Sequence, residues 1–204
     1  MSQAASLSSP AASRRFDAIV IGGSAGSIEA LAVLLPALPA HLRAAVFVVL
    51  HLPRERPSLL CEIFQHRCVV PLREAQDKEP VEPGTVYFAP PDYHLLVDAG
   101  PSMALSVDDP VHFSRPSIDV LFESAADAYG EHLLALLLSG ANQDGAEGLA
   151  AIQAAGGTTI VQDPASSSMS TMPEAALALL QPDHVLAPQQ IATLFTQLPL
   201  GRPL

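Results

Sequence analysis

Residues 16–27, FDAIVIGGSAGS, decide how the rest of the chain is read. Ala18 to Ile21 is a short apolar, β-branched run of the kind that forms a buried parallel strand. Glycines and two serines separate it from the helical spacing Ile28, Leu31, Leu34, Leu35. The stretch therefore predicts a strand, a sharp turn and a helix. Gly22, Ser24 and Gly26 fit G-x-S-x-G, the nucleophile elbow, in which glycines let the backbone turn tightly and the central serine projects its oxygen beyond the sheet edge. The same turn presents backbone N–H groups at a helix N-terminus, where a developing negative charge is stabilised. Two commoner uses of a glycine-rich turn fit poorly. The phosphate-binding G-x-G-x-x-G does not match residues 22–27, and the Walker pattern lacks its lysine. A nucleotide site also wants an acid at the end of the second strand, whereas Ala45 to Leu50 ends in His51.

Outward from the turn, the first helix is expected from Ser27, as N-cap, to Leu35, and the loop Pro36 to Pro39 ends it. The second strand, AAVFVVL, is apolar on both faces, the pattern of a parallel strand covered by helices on both sides. Pro57-Ser58 opens a helix whose Leu59, Leu60, Ile63 and Phe64 are expected to face the core. Between Val69 and Val107 the runs VVPLREA, TVYFAP, HLLVD and MALSV, divided by proline and glycine turns, read as hairpins and so as an antiparallel extension. Ser117 to Tyr129 returns to helix, with Ile118, Leu121, Phe122 and Ala125 at helical spacing. A buried strand His132 to Leu138, the loop SGANQDGAEG and a helix Leu149 to Ala155 follow, then a strand Thr158 to Gln162. The serine-rich loop DPASSSMSTMP leads to a helix Glu174 to Leu180 begun by Pro173, a short strand His184 to Leu186 and a last helix Pro188 to Leu198. Strands alternating with helices imply right-handed crossovers. The expected fold is α/β, a doubly wound, mostly parallel sheet flanked by helices, with an antiparallel hairpin extension. Residues 1–15 and 199–204 read as flexible tails on one domain, 16–198.

At 204 residues, 49% hydrophobic and 15% charged, the chain is long and apolar enough for one full core. A net charge of −11 and a pI of 4.8 oppose phosphate backbones and anionic membranes, so no nucleic-acid partner is expected. Cys61 and Cys68, with His66 between them, lack a matching second cluster and read as reduced thiols rather than a metal site. No secretory segment opens the chain, and Pro36, Pro39, His41 and Arg43 interrupt the apolar stretch 30–50. The reading is a cytoplasmic protein without membrane insertion.

Ligands of open α/β sheets bind outside the carboxyl ends of the strands. Ser24, His51 and Asp144 each sit in the loop after a predicted parallel strand, so all three are expected at one edge. A serine is a poor nucleophile at neutral pH until a histidine takes its proton, and a carboxylate orients that imidazole and stabilises its cation. Each residue also has a plainer reading: Ser24 as a helix cap, His51 as a packed strand-end histidine, Asp144 as the first half of an Asp-Gly turn. Their shared edge favours one acyl-transfer site. The chain order Ser, His, Asp is not that of α/β-hydrolases. His41, His66, His112, His132 and His184 read as structural or solvated, and His94 is left open.

Six stretches then carry a resemblance: IGGSAGS at 21–27, LHLP at 50–53, APPDYHL at 89–95, RPSIDVLFES at 115–124, SGANQDGAEG at 139–148 and QDPASSSMSTMP at 162–173. In this order they resemble the catalytic domain of the CheB family, protein-glutamate methylesterases of bacterial chemotaxis, from Phe16 to about Leu198. The resemblance implies hydrolysis of glutamyl methyl esters on methylated chemoreceptors, deamidation of certain receptor glutamines, and no metal or organic cofactor. Ser24 resembles the family nucleophile, His51 its general base and acid, and Asp144 the orienting carboxylate. The N–H of Ala25 is one candidate oxyanion donor, and the loop around Ala141 is the candidate source of another. Ser139-Gly140-Ala141-Asn142-Gln143-Asp144-Gly145 departs from the family's T-G-M-G-x-D-G, and Gly26-Ser27 from its Gly-Gly. Chemotaxis members usually carry an N-terminal receiver domain, and residues 1–15 leave no room for one. Constitutive activity, control by a partner or service outside chemotaxis is the corresponding expectation. Arg54, Arg56 and Arg115 are candidates for a local patch offsetting the acidic balance. A non-catalytic binding module and a small-molecule carboxylesterase are the competing readings.

Overall fold

The computed structural model describes residues 15–52, 58–98, 100 and 102–197. In chain order the elements are β1 (Ala18–Gly23), α1 (Ser27–Leu34), β2 (Ala45–Leu50), α2 (Leu60–Phe64), β3 (Leu72–Glu74), β4 (Val86–Phe88), β5 (His94–Asp98), β6 (Ser102–Ser106), α3 (Ile118–Tyr129), β7 (Leu133–Leu137), α4 (Ala146–Ala154), β8 (Thr158–Gln162), α5 (Thr171–Leu179), β9 (His184–Leu186) and α6 (Pro188–Thr196). Seven strands form one sheet in the order β3-β4-β2-β1-β7-β8-β9, and every neighbouring pair is parallel.

The central strands are apolar at every position because both faces are covered. Ile19, Ile21, Val46 and Leu136 pack with Leu31 of α1 and Phe195 of α6 on one face. Val20, Phe47, Ala135 and Leu137 pack with Phe122 of α3 and Leu149 of α4 on the other. Each of these side chains larger than alanine contributes about 1.5–3 kcal/mol by leaving water, so the middle of the sheet is its firmest part.

The doubly wound parallel sheet and the hairpin are present, with differences in detail. VVPLREA and TVYFAP do not form hairpins: β3 and β4 join the main sheet in parallel, β4 against β2. Among the described strands only β5 and β6 pair antiparallel, as a separate two-stranded sheet. In α2, Leu60 and Phe64 are buried, whereas Ile63 and the preceding cap residue Leu59 are 47% and 54% exposed. At five residues the helix has room for one inward stripe and not two. The helix after β7 starts at Ala146 rather than Leu149, and α5 starts at Thr171, with Pro173 inside its first turn. The tail 1–14, the segment 53–57 with Arg54, Arg56 and Pro57, and residues 198–204 lie outside the described residues.

Candidate active site

Strand order explains why residues distant in sequence meet. β1 pairs with β2 on one side and β7 on the other, and the direction of winding reverses there, which opens a crevice at the carboxyl ends. In the β1–β2 register Gly23 lies opposite Leu50, so the next residues, Ser24 and His51, leave the sheet side by side. The His51 N–H donates to the Gly23 carbonyl at 3.2 Å, which ties the two exits together. On the other side the Ser24 N–H donates to the Ser139 carbonyl at 2.9 Å, just past β7.

The turn itself is built as the glycine pattern requires, with one difference. Gly26, not Ser27, caps α1, and its φ of 81° is the left-handed conformation that favours glycine. Ser27 is buried, and its hydroxyl donates to the Ser139 carbonyl at 2.6 Å while accepting from the Ser24 N–H at 3.1 Å. The capping hydroxyl is thus drawn away from its helix to brace the elbow.

Asp144 is fully buried in the loop between β7 and α4. Its Oδ2 accepts from His51 Nε2 at 2.7 Å and from the Ile118 N–H at 2.7 Å. Its Oδ1 accepts from Ser117 Oγ at 2.8 Å and from the Asp119 N–H at 3.1 Å. Burial raises the carboxyl's pKa, but the bonds from His51, Ile118 and Asp119, with the nearby imidazole charge, outweigh it and hold the group below its usual value. The structure therefore brings His51 and Asp144 into direct contact and sets Ser24 on the neighbouring strand exit.

The imidazole has an unusual orientation for such a trio. The carboxylate holds Nε2, which leaves Nδ1 facing Ser114 Oγ at 3.4 Å. In the familiar serine-protease arrangement the carboxylate holds Nδ1 instead. With Nε2–H donating to Asp144, Nδ1 carries the lone pair, as a general base needs.

Ala25 and Ala141 are both exposed, on the two loops that flank Ser24. Ser139 sets the distance between those loops. Its hydroxyl donates to the Ala25 carbonyl at 2.8 Å and accepts from the Met169 N–H at 3.0 Å, and its N–H donates to Gln162 Oε1 at 2.9 Å. The serine-rich loop after β8 is thereby tied to the elbow.

Several contributors were not singled out by sequence reasoning. Ser117 is one, although serine before an apolar helical run is a cap signal, and its side chain does accept from the Val120 N–H. His94 is buried, and its Nδ1 accepts from the Ser117 N–H at 3.1 Å. His112, read as structural or solvated, has Nε2 3.4 Å from Asp119 Oδ2. Asp119 is 4% exposed, and its Oδ1 accepts from the Gly148 N–H at 2.7 Å. Burial, reinforced by the charge of Asp144, pushes its carboxyl up to about 7.

His112, Asp119 and Asp144 are the described residues with metal-ligand spacing, their donor atoms lying within 4.8 Å of one another. A carboxylate has about four lone-pair sites, and the four bonds just described occupy those of Asp144. Two donors remain, fewer than the three or four protein ligands of a typical zinc site. Cys61 and Cys68 are free thiols whose pKa values burial raises.

The chain is similar to known proteins along most of its length. The family model described as CheB methylesterase matches residues 19–195. A Leptospira interrogans protein, provisionally named protein-glutamate methylesterase/protein-glutamine glutaminase, is 41% identical over 183 residues, covering 90% of this chain and 95% of its own length. A Symbiobacterium thermophilum protein-glutamate methylesterase/protein-glutamine glutaminase is 38% identical over 179 residues, and the chain spans 49% of that longer relative. The crystal structure of the Thermotoga maritima CheB methylesterase catalytic domain superposes with a TM-score of 0.86 at 30% identity, covering 90% of this chain and 98% of that one.

Proposed function

The chain belongs to the CheB methylesterase family, and on that premise we propose that it is a serine hydrolase that demethylates glutamyl methyl esters on methylated chemoreceptors or receptor-like signalling proteins. The observation that carries the reading is Asp144, buried, ionised and saturated with hydrogen bonds, holding His51 Nε2 beside the exit of Ser24.

In this mechanism Ser24 Oγ attacks the ester carbonyl while His51 Nδ1 takes its proton. The N–H groups of Ala25 and Ala141 stabilise the oxyanion. The imidazolium returns the proton to the departing methoxide, releasing methanol and leaving an acyl-serine. Water, deprotonated by the same nitrogen, then frees the glutamate. Asp144 orients the ring and stabilises its cation throughout. The same sequence with ammonia as leaving group deamidates glutamine, in keeping with the names of the relatives. A cytoplasmic location is part of this proposal, on the sequence grounds given above. Among the described residues no helix is long and apolar enough to cross a membrane.

The test is methanol release from a methylated receptor signalling fragment, comparing the parent with Ser24→Ala. Release by the parent alone is expected. Equal release by the variant would remove Ser24 from its role, and no release by the parent would move the assignment to another ester.

A further inference from the structure

Two consecutive residues beside this site, His112 and Phe113, have left-handed backbones, with φ of 47° and 62°. For residues other than glycine such conformations cost about 1–3 kcal/mol each. They form the tip of a two-residue turn, closed by the Val111 N–H on the Ser114 carbonyl at 3.1 Å and the Ser114 N–H on the Val111 carbonyl at 2.8 Å. A turn with two positive φ angles selects Asn-Gly, and this one carries His-Phe.

The surroundings hold the strained turn in place. His112 Nε2 faces Asp119 Oδ2 at 3.4 Å, and Ser114 Oγ lies 3.4 Å from His51 Nδ1. Arg115 binds Asp92 Oδ1 through Nε at 3.0 Å and Nη2 at 2.8 Å. Its Nη1 donates to the carbonyls of Val107 at 2.7 Å and Asp108 at 3.0 Å. The strain presents Phe113, 99% exposed, one residue from the serine that touches the imidazole. Burying such a ring is worth about 1.5–3 kcal/mol, and the fold leaves this one on the surface. A single exposed apolar side chain is ordinary, but this one sits on a braced, strained turn at the mouth of the site. The partners of Arg115 also bring Val107, 66% exposed, and Tyr93, the neighbour of Asp92, to the same corner.

We propose that Phe113 is a specificity-determining anchor, on which an apolar side chain of the substrate protein packs so that the neighbouring methylated glutamate enters the site. The proposal rests on the function proposed above. Charge does not supply the attraction, because a chain of net charge −11 repels a glutamate-bearing segment. Apolar contact beside the ester does. The anchor selects protein over small esters, which carry no neighbouring side chain to pack on it.

The decisive variant is Phe113→Asn. Asparagine tolerates the left-handed backbone, so the turn is kept or stabilised while the ring is lost. With a methylated receptor signalling fragment as substrate, KM is expected to rise about tenfold with kcat little changed, and Phe113→Leu to restore most of the loss. Toward p-nitrophenyl acetate, kcat/KM is expected to stay within about twofold of the parent. An unchanged KM for the fragment, or a parallel loss on the small ester, would overturn the anchor while leaving the methylesterase assignment standing. If the parent releases no methanol, that assignment fails and the anchor is judged on the fragment's Kd by fluorescence anisotropy. About tenfold weaker binding by Phe113→Asn supports it, and equal Kd values, or no binding by either protein, overturn it.

Discussion

Asp119 is the residue whose chemistry reaches furthest beyond its own contacts. It lies buried between Asp144 and His112, and its proton is retained to about pH 7 in the fold against an ordinary value of 3.8. A carboxyl whose pKa is raised by folding favours the native state below the unfolded value, and loses that advantage as pH climbs to the folded value. Asp144 has the opposite sign: its depressed pKa favours the native state above the ordinary value and fails as pH falls beneath it. Between about pH 4 and 7 the pair therefore contributes a decline in stability with rising pH, and Asp119 is its source. Replacing Asp119 by Asn, which mimics the protonated form, is expected to flatten that decline. In urea titrations at pH 5 and pH 8 the parent should lose more of its midpoint than Asp119→Asn does, and parallel shifts would sink the account. None of this was visible in the chain read as letters, because Asp119 touches Asp144 from 25 residues away and acquires its pKa from burial. Ser24 and His51 were legible because each is marked locally, one by glycines, the other by ending an apolar run.

At the scale of elements, short-range chemistry and long-range pairing parted company. The helical spacing of Ile118, Leu121, Phe122 and Ala125 was readable because all four are buried along one face of α3. β3 and β4, with three residues each, contain too little pattern to show whether their partner is a hairpin neighbour or β2. Ser27 carried a cap signal, but a carbonyl 112 residues away attracts its hydroxyl more strongly. The loop between β7 and α4 is bound by a similar constraint at Gly145, the cap of α4, whose φ is 95°. A Cβ there would meet Leu137 Cδ1 at 2.5 Å and Ile118 Cγ2 at 2.6 Å. Gly145→Ala is thus expected to destabilise by about 2–4 kcal/mol, from backbone strain and overpacking together. Gly100, with nothing within 4 Å, serves as the control, its alanine variant staying within about 0.5 kcal/mol of the parent. Thermal melts of both variants check the contrast, and equal shifts would remove the packing argument.

The whole molecule unites the site through its sheet. Ser24, His51 and Asp144 follow three adjacent strands, and the N-terminus of α3 supplies three of the bonds to the carboxylate. Esterase activity and helical circular dichroism should therefore disappear at the same urea concentration. Activity lost well before the dichroism would mean that the edge of the sheet opens on its own.

The position of β7 has a further meaning when the protein is being made. Translation proceeds from the N-terminus, so AIVIGG and its neighbour β2 leave the ribosome well before its other neighbour, Leu133–Leu137, is synthesised. Throughout that interval the middle strand of the finished sheet is an open edge, apolar on both faces, of the kind that recruits stray strands. The nascent chain is most exposed to aggregation just where the mature protein is most secure. Asp144 follows β7 by only a few residues, so the strand that closes the edge also brings this carboxylate to His51.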